Sequence, residues 1–277
     1  MKKRTRLGPL IAYTVLCFVV LYTVTPFLWM LVTSIKTDQE AVAIPPTLWP
    51  KKPTLEAYVQ ILLCGNFPIW FMNSTIISAG TALLSTLIGS TAGYGFSRFK
   101  FAGRATLIGI ILASQMLPGV LLVGPYFKML ATVDLYNTYP GLILAFTAIT
   151  LPFSTWMLKG FIDSVPEELD DAALIDGCSA LGAFTRVIMP LIAPGMVATV
   201  IFAFLLAWGD LLWVLVLTSG EKMTTVTLGL TRLVTQFRII WPQLMAGSAI
   251  AALPPLVLYM LLQDYLVAGL TAGAVKE

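Results

Sequence analysis

Six stretches of this chain each continue for more than twenty residues without a charged side chain. A helix that crosses a bilayer needs about 20 apolar residues to span the hydrocarbon. With 58% hydrophobic and only 11% charged residues, the composition is far from that of a soluble domain. We therefore predict an all-α membrane protein, a single transmembrane domain over 1–277 with six transmembrane helices. The predicted spans are 8–32, 70–94, 106–128, 138–160, 189–216 and 242–266.

The apolar runs favour helices over a membrane barrel. Stretches such as Ala105–Leu117 and Ala246–Leu262 are mostly apolar and lack the alternation that barrel strands require. The first run, Leu7–Ile35, is too long for a cleaved signal-peptide core, so we interpret it as the first helix. Gly80, Ser85, Gly89 and Gly93 indicate close helix packing in the second span.

Basic residues near the membrane ends predict the orientation. If the N-terminus is cytoplasmic, the inner side holds most of the Lys and Arg residues, and the Lys2–Arg6 cluster and the Arg98–Arg104 loop lie close to membrane ends. We therefore expect a multi-pass protein of the cytoplasmic (inner) membrane, surrounded by lipid, with both termini cytoplasmic. The net charge of +3 is explained by these flanks, and it gives no reason to expect nucleic-acid binding.

Several chemistries are excluded by what the sequence lacks. The chain has no histidine, so a serine–histidine hydrolase and a histidine-ligated metal site are impossible. Cys17, Cys64 and Cys178 have no disulfide or metal spacing, so we expect no metal. No phosphate-binding Gly-x-x-x-x-Gly-Lys loop is present. We expect a non-enzymatic chain with no cofactor of its own.

Acidic residues concentrate in the predicted cytoplasmic segment 163–190, between the fourth and fifth spans. Ser164 followed by Pro166 and two glutamates is typical of a capped helix start, and Gly177 is typical of a helix end. A second amphipathic stretch then leads to Pro190 and into the membrane. We predict two short helices joined by a turn. The segment holds six of the fourteen carboxylates: Asp163, Glu167, Glu168, Asp170, Asp171 and Asp176.

Within this segment, Asp171-Ala-Ala-x-x-x-Gly177, nine residues, and then Val187-x-Met189-Pro190 resemble the EAA motif of binding-protein-dependent ABC importer permeases. The spacing matches throughout, while Asp171, Val187 and Met189 replace Glu, Ile and Leu. The resemblance implies a coupling helix that docks on an ATPase subunit. The residues implied in coupling are Glu168, Asp171, Ala172, Ala173, Asp176, Gly177, Phe184, Val187 and Pro190. The alternative is a solvated acidic surface loop.

Other segments are similar to the carbohydrate-uptake permeases, in particular the type of the smaller maltose-permease subunit. They are Phe71–Leu83, Ala92–Arg98, Ala207–Trp213 and the tail Val267–Lys276. The resemblance implies transport of a sugar, as a di- or oligosaccharide, or of a polyol or glycerol phosphate. It also implies a C-terminal contact with the ATPase through Thr271, Gly273 and Lys276. The implied partners are an ATPase dimer that binds ATP and Mg, a second homologous permease subunit and an external solute-binding protein.

Asp210 is the one carboxylate deep in an apolar region, between Trp208 and Trp213. A charge at membrane depth is costly and usually faces a cavity or a partner. Sugars bind such groups by hydrogen bonds and stack on aromatic rings, so these three residues are candidates for the substrate path. A structural pairing with the second permease subunit is the alternative. Weaker path candidates are Asn73, Gln115 and Tyr126.

Two other classes of function remain to be weighed. An ion-coupled secondary transporter of a polar solute usually places several ionisable residues in the membrane and often has inverted repeats; here only Asp210 is available and no repeat is visible. A membrane enzyme would need a nucleophile and a base, and the sequence offers no such constellation.

Overall fold

The computed structural model describes residues 7–234 and 239–272, which form α-helices joined by loops. Two π-helical turns, Gln60–Cys64 and Phe184–Ile188, continue short helices. The described α-helices are α1 (Leu7–Ser34), α2 (Asp38–Ala41), α3 (Glu56–Val59), α4 (Phe67–Arg98), α5 (Arg104–Ser114), α6 (Gly119–Thr132), α7 (Tyr139–Asp163), α8 (Glu168–Ile175), α9 (Ala180–Ala183), α10 (Met189–Leu191), α11 (Ala193–Gly209), α12 (Leu212–Leu217), α13 (Val226–Thr231) and α14 (Trp241–Ala272).

Four of the described helices, α1, α4, α7 and α14, are long and apolar enough to cross a membrane. Two bent pairs also qualify by length and composition: α5 with α6, bent by 99°, and the segment Ala180–Leu191 with α11, bent by 79°. The described residues therefore provide four spans, or up to six if each bent pair is one span. The all-α membrane class is confirmed, and the count of six stays a prediction.

Proline positions explain why two predicted spans are interrupted. Pro118 precedes α6 with φ −58° and ψ 123°, and a proline disfavours helical backbone in the residue before it. Pro194 lies in the first turn of α11, directly after the break at Ile192. By contrast Pro26, Pro125, Pro152, Pro254 and Pro255 all lie within helices.

The predicted span 189–216 also breaks at its other end. Asp210 has extended backbone, with φ −74° and ψ 137°, so α11 stops at Gly209 and α12 begins two residues beyond Asp210. The single continuous helix expected from hydropathy is therefore wrong here, because hydropathy averages over a window and is blind to a local backbone turn.

The chain divides into two compact units, Met1–Pro68 with Gly229–Leu253, and Ile69–Leu228 with Pro254–Glu277. In the first unit, the connection after α1 folds back on the helix end. The Ser34 hydroxyl and the Tyr58 hydroxyl lie 2.8 Å apart, and the buried Lys36 ammonium donates to the Thr47 carbonyl and lies 4.6 Å from the centroid of the Trp29 ring. The same connection contains the short helix α3 with its π-helical continuation.

In the second unit, α4 and α7 approach closely along small residues. A Cβ on Gly93 would lie 2.9 Å from the Lys159 backbone nitrogen, and one on Gly89 would lie 3.0 Å from the Ser154 Cβ. The Ser85 hydroxyl lies 2.9 Å from that of Ser154 and accepts from Thr150 at 3.0 Å. The close packing predicted from the small residues of this span is confirmed.

Candidate functional site

The acidic segment 163–190 does form two short helices joined by a turn. Gly177 ends α8 with φ +87°, a left-handed conformation that favours glycine. The Cys178 N–H donates to the Ala173 carbonyl at 3.0 Å, which satisfies a carbonyl at the helix end. The Ser179 side chain then caps α9 by accepting from the Gly182 N–H at 3.1 Å.

The predicted start of α8 is wrong. Ser164 does not cap this helix; its hydroxyl donates to the Phe161 carbonyl at 2.7 Å and so closes the end of α7. The helix begins at Glu168, and no side chain caps it. The reason is local competition, because a serine just after a helix can bond back to the preceding turn as readily as it can cap the next helix.

Burial divides the segment into an outward and an inward face. Ala173 and Phe184 are 6% and 3% exposed, so the structure places these two predicted coupling residues inside the chain, where they shape the segment. Val187 is half-buried. The other predicted coupling residues are exposed: Glu168, Asp171, Ala172, Asp176, Gly177 and Pro190.

Large apolar side chains also lie on the outward face, which the sequence reasoning did not identify. Ile175 is 86% exposed, Leu181 is 68% exposed and Leu174 is 47% exposed. Glu168, Asp171 and Asp176 belong to the same short stretch. An exposed apolar group within acidic surroundings suits a protein partner better than water. The sequence gives one sign of this exposed apolar group. The helices are too short for the buried face to hold all of Leu174, Ile175 and Leu181.

The sequence reasoning also missed the contact that fixes α8 in place. The Arg98 side chain, 8% exposed, donates through Nε to Asp170 Oδ2 at 2.7 Å and through Nη2 to the Val165 carbonyl at 2.8 Å. The Tyr94 hydroxyl donates to Asp170 Oδ1 at 2.7 Å. Both oxygens of the Asp170 carboxylate are therefore held by residues of α4, and Asp170 is only 7% exposed.

Apolar packing holds the second half of the segment. Phe184, Ile188 and Ile192 form a buried cluster with Leu158 and Ile162 of α7. The Phe184 ring also contacts the Tyr94 ring, with centroids 4.8 Å apart. The segment is therefore attached to α4 by the Asp170 contacts and the Tyr94 ring, and to α7 by apolar contact, so buried contacts lie beneath its outward face.

Asn73, a predicted path residue, is completely buried and fully bonded. Its amide nitrogen donates to the Lys222 carbonyl at 2.9 Å and to the Thr224 carbonyl at 2.7 Å, and its oxygen accepts from the Tyr139 hydroxyl. These bonds fasten the segment around 222–224 to α4 and α7. This geometry favours a structural role for Asn73 over contact with a substrate.

Asp210 lies at the break between α11 and α12, where its carboxylate accepts from the Trp213 N–H at 2.8 Å. Trp213 is buried and its ring packs edge-to-face on Tyr126, with centroids 5.0 Å apart. Trp208 is also buried, and its ring contacts Phe71 and Phe204. Trp208, Trp213 and Tyr126 thus make aromatic contacts within the chain, and Asp210 is half-buried beside Trp213. The place of these four residues along a path stays a prediction.

Gln115, another predicted path residue, lines an open cavity. Its amide donates to the Ile149 carbonyl at 3.0 Å, and the cavity, of about 360 Å³, is otherwise lined by Leu112, Phe153, Trp156 and Phe202. The Phe153 and Phe202 rings are 4.2 Å apart. The lining offers aromatic faces and one side-chain amide.

The remaining predicted sites add little geometry. Thr271 lies in the last turn of α14, while Gly273 and Lys276 lie outside the described residues. Across 7–234 and 239–272, no three Cys, Asp or Glu residues group in a way that could hold a metal ion.

Comparison with known proteins gives the family. The family described as "Binding-protein-dependent transport system inner membrane component" matches residues 85–272. The trehalose/maltose transport system permease protein MalG of Thermococcus litoralis is 36% identical over 254 residues, 91% of each chain. The sulfoquinovosyl glycerol transport system permease protein SmoH of Agrobacterium fabrum is 34% identical over 251 residues, 91% of this chain and 88% of its own.

A solved structure has the same fold. It is a chain of a bacterial ABC transporter involved in the import of the acidic polysaccharide alginate, with a TM-score of 0.80 at 18% identity, covering 96% of this chain and 99% of that one. The matched residues include all of α5 to α14, the end of α4 and the whole of the segment 163–190. This chain belongs to the binding-protein-dependent transport system inner membrane components, the permease subunits of ABC transporters.

Proposed function

We propose that this chain, with a second homologous permease subunit, forms the path by which a sugar enters the cell, and that the segment 163–190 docks on an ATPase. The observation that carries the proposal is the outward face of that segment. It presents Glu168, Asp171 and Asp176 together with the exposed Ile175. Carboxylates can pair with basic groups on a partner, and the apolar side chain can fill a cleft.

The buried contacts beneath this face favour a coupling role over a solvated acidic loop. Asp170 and Phe184 attach the inward face of the segment to the helices beneath it. A force applied by a partner at Ile175 therefore acts against these buried contacts. A loop with only a solvation role needs no buried ion pair. The Gly177 turn leaves its surroundings open, since nothing lies within 4 Å of an added Cβ, so a partner has access there.

The cargo we propose is a di- or oligosaccharide, or else a polyol or glycerol phosphate. The names of the relatives support this class, since one is a trehalose/maltose permease and another a sulfoquinovosyl glycerol permease. The cavity beside Gln115 offers ring faces and an amide, which suit sugar hydroxyls and the flat face of a pyranose.

The partners follow from the same assignment. Hydrolysis takes place on a separate ATPase dimer, which binds ATP and Mg, and the C-terminal residues Thr271, Gly273 and Lys276 provide a second contact with it. An external solute-binding protein delivers the sugar; the words 'binding-protein-dependent' in the family description support a partner of this kind. Both termini and the segment 163–190 lie on the cytoplasmic side.

The test is a matched pair of glycine substitutions in the assembled complex. Gly177 and Gly220 both have positive φ, +87° and +71°, and neither has any atom within 4 Å of an added Cβ. Gly177→Trp and Gly220→Trp therefore impose a similar backbone strain, but only the first obstructs the proposed docking face. We expect the ATPase to co-purify with the wild-type chain and with Gly220→Trp, and to be lost from Gly177→Trp.

Uptake completes the test. Proteoliposomes that contain the complex should take up the sugar bound by the solute-binding protein of the same transport system, and only when ATP is inside. Uptake that persists without the ATPase and collapses with the ion gradient would contradict the proposal and favour an ion-coupled transporter.

A further inference from the structure

Asp170 and Asp171 are adjacent acidic residues with opposite surroundings. Asp171 is exposed on the outward face, whereas Asp170 is buried against α4. The docking role described above uses only the outward residue. The buried residue therefore needs a separate explanation, because an ionised carboxylate is costly to remove from water.

The contacts of Asp170 cross a long interval of sequence. Its oxygens accept from Tyr94 and Arg98, which are one turn apart near the end of α4 and more than 70 residues away in the chain. Arg98 reaches further, to the Val165 carbonyl in the connection that precedes α8. The Arg98 guanidinium thus binds both α8 and the connection that leads into it.

Stability alone is a weak reason for such a pair. Apolar residues of similar size usually hold a protein together as well as a buried ion pair does, because they carry no desolvation cost. What the charged pair adds is direction, since the planar guanidinium accepts only a narrow range of positions for its partners. The geometry therefore suits a connection between α4 and α8 that must keep the two helices in a fixed relative position when a force acts on one of them.

We propose that Arg98 is a positioning residue for coupling: its buried pair with Asp170 makes α8 and the end of α4 move as one body when an ATPase displaces the segment. This inference rests on the proposed function. The displacement enters at the outward face near Ile175, passes through Asp170 to Arg98, and so reaches α4, whose close packing on α7 carries it further.

The test measures the distance between α4 and α8 in the assembled complex. Spin labels are attached at Leu87→Cys and Leu169→Cys, two exposed positions on these helices that are not among the docking residues, after Cys17, Cys64 and Cys178 are replaced by serine. Distances are recorded without nucleotide and after trapping with Mg-ATP and vanadate. In the otherwise wild-type chain the mean distance should shift by less than about 2 Å, the size of a small helix adjustment.

Asp170→Asn keeps the shape of the side chain and can still accept from Tyr94, but it removes the charge that Arg98 needs. We expect its distance to change between the two states by about 5 Å or more, one helical turn. Arg98→Lys, which keeps the charge and loses the planar fork, should show the same change to a smaller extent. It also provides the measurement if Asp170→Asn fails to assemble.

The control is Lys159→Met. Lys159 pairs with Asp163 one turn along within α7, so this ion pair joins no two helices, and its loss should leave the α4 to α8 distance as in wild type. A wild-type distance that changes by about a helical turn on trapping, or Arg98→Lys and Asp170→Asn distances that match wild type, would overturn the positioning role. A wild-type chain that assembles with no ATPase would contradict the proposed function instead.

Discussion

The N–H of Trp213 donates to the carboxylate of Asp210 at 2.8 Å, so this acidic residue acts as a cap on the first turn of α12 from one position before Leu211, the residue at the helix's N-cap. The Asp210 carbonyl also accepts from the Thr227 hydroxyl at 2.8 Å. A single acidic residue in an apolar stretch thus has a local use at a chain break. A substrate contact is not needed to explain its presence.

The cap gives a direct prediction for Asp210. Asp210→Ala removes the acceptor and should destabilise the chain by about 1 kcal/mol, the usual cost of a lost N-cap. For a chain of this size that lowers the thermal midpoint in detergent by about 2–4 °C. Asp210→Ser keeps an acceptor and should restore most of the midpoint and of sugar uptake. Restored stability with abolished uptake would show that the charge acts on the substrate.

Asn73 should behave as a structural residue. Asn73→Leu leaves the Lys222 and Thr224 carbonyls and the Tyr139 hydroxyl without their buried partner, and each such loss costs about 1–3 kcal/mol. The chain should unfold at a clearly lower temperature or fail to accumulate. Ser78→Ala is the control: this hydroxyl on α4 is buried and has no partner within the described residues, so its removal should be neutral. Equal midpoints for the two variants would refute the role given to Asn73.

Two glycines of α4 should respond differently to substitution, because only one of them packs against α7. Gly93→Ala places a Cβ 2.9 Å from the Lys159 backbone nitrogen, and this overpacking should destabilise the chain by about 1–3 kcal/mol. Gly95→Ala meets nothing within 4 Å and should stabilise the helix by about 0.5–1 kcal/mol. Thermal unfolding in one detergent compares the two. The account fails if Gly93→Ala is tolerated as well as Gly95→Ala.

Glu40 predicts a pH dependence in the connection after α1. Its carboxylate accepts from the Lys51 N–H and the Thr47 hydroxyl, both at 2.8 Å, and the bond from Lys51 contributes most to a lowered pKa. Because the pKa is lowered, the stabilisation that the ionised Glu40 gives to this connection is complete when the pH is above the carboxyl's ordinary pKa. It is lost as the pH falls through the lower pKa of the folded chain. A fluorophore at Leu48→Cys should therefore report a constant environment at neutral pH and loosening in acid.

Glu40→Gln mimics the protonated acid, so it should show the loosened signal already at neutral pH. Glu56→Gln, on the nearby α3, removes another carboxylate, one that accepts from the Gln60 amide, and it should leave the signal unchanged. An acid response that survives unchanged in Glu40→Gln would assign the effect to another group.

Local pattern was enough to predict much of this molecule. The four long helices follow from the length of their apolar runs, and the end of α8 follows from Gly177, because both depend on neighbours in sequence. The Asp210 cap could also have been found, since a carboxylate three residues before a helical N–H is a local arrangement.

Tertiary choices were beyond reach of a single sequence. Nothing near Asp170 or Asp171 tells which of the two turns inward, because the deciding partner, Arg98, is more than 70 residues away. The same holds for Asn73, whose carbonyl partners lie near 222–224. The 99° bend between α5 and α6 was missed because hydropathy responds to composition and carries no information on direction.

The most direct test of the central claim is a cross-link from the outward face of segment 163–190. Ile175→Cys, in a chain whose three native cysteines are replaced by serine, is labelled with a short reagent that carries one thiol-reactive and one photoactivatable group, and is irradiated in the assembled complex. Leu63→Cys, a similarly exposed position on the connection after α1, is the control. We predict an adduct between the Ile175→Cys chain and the ATPase, and none from Leu63→Cys. An ATPase that co-purifies yet forms no adduct with Ile175→Cys would contradict docking through this face.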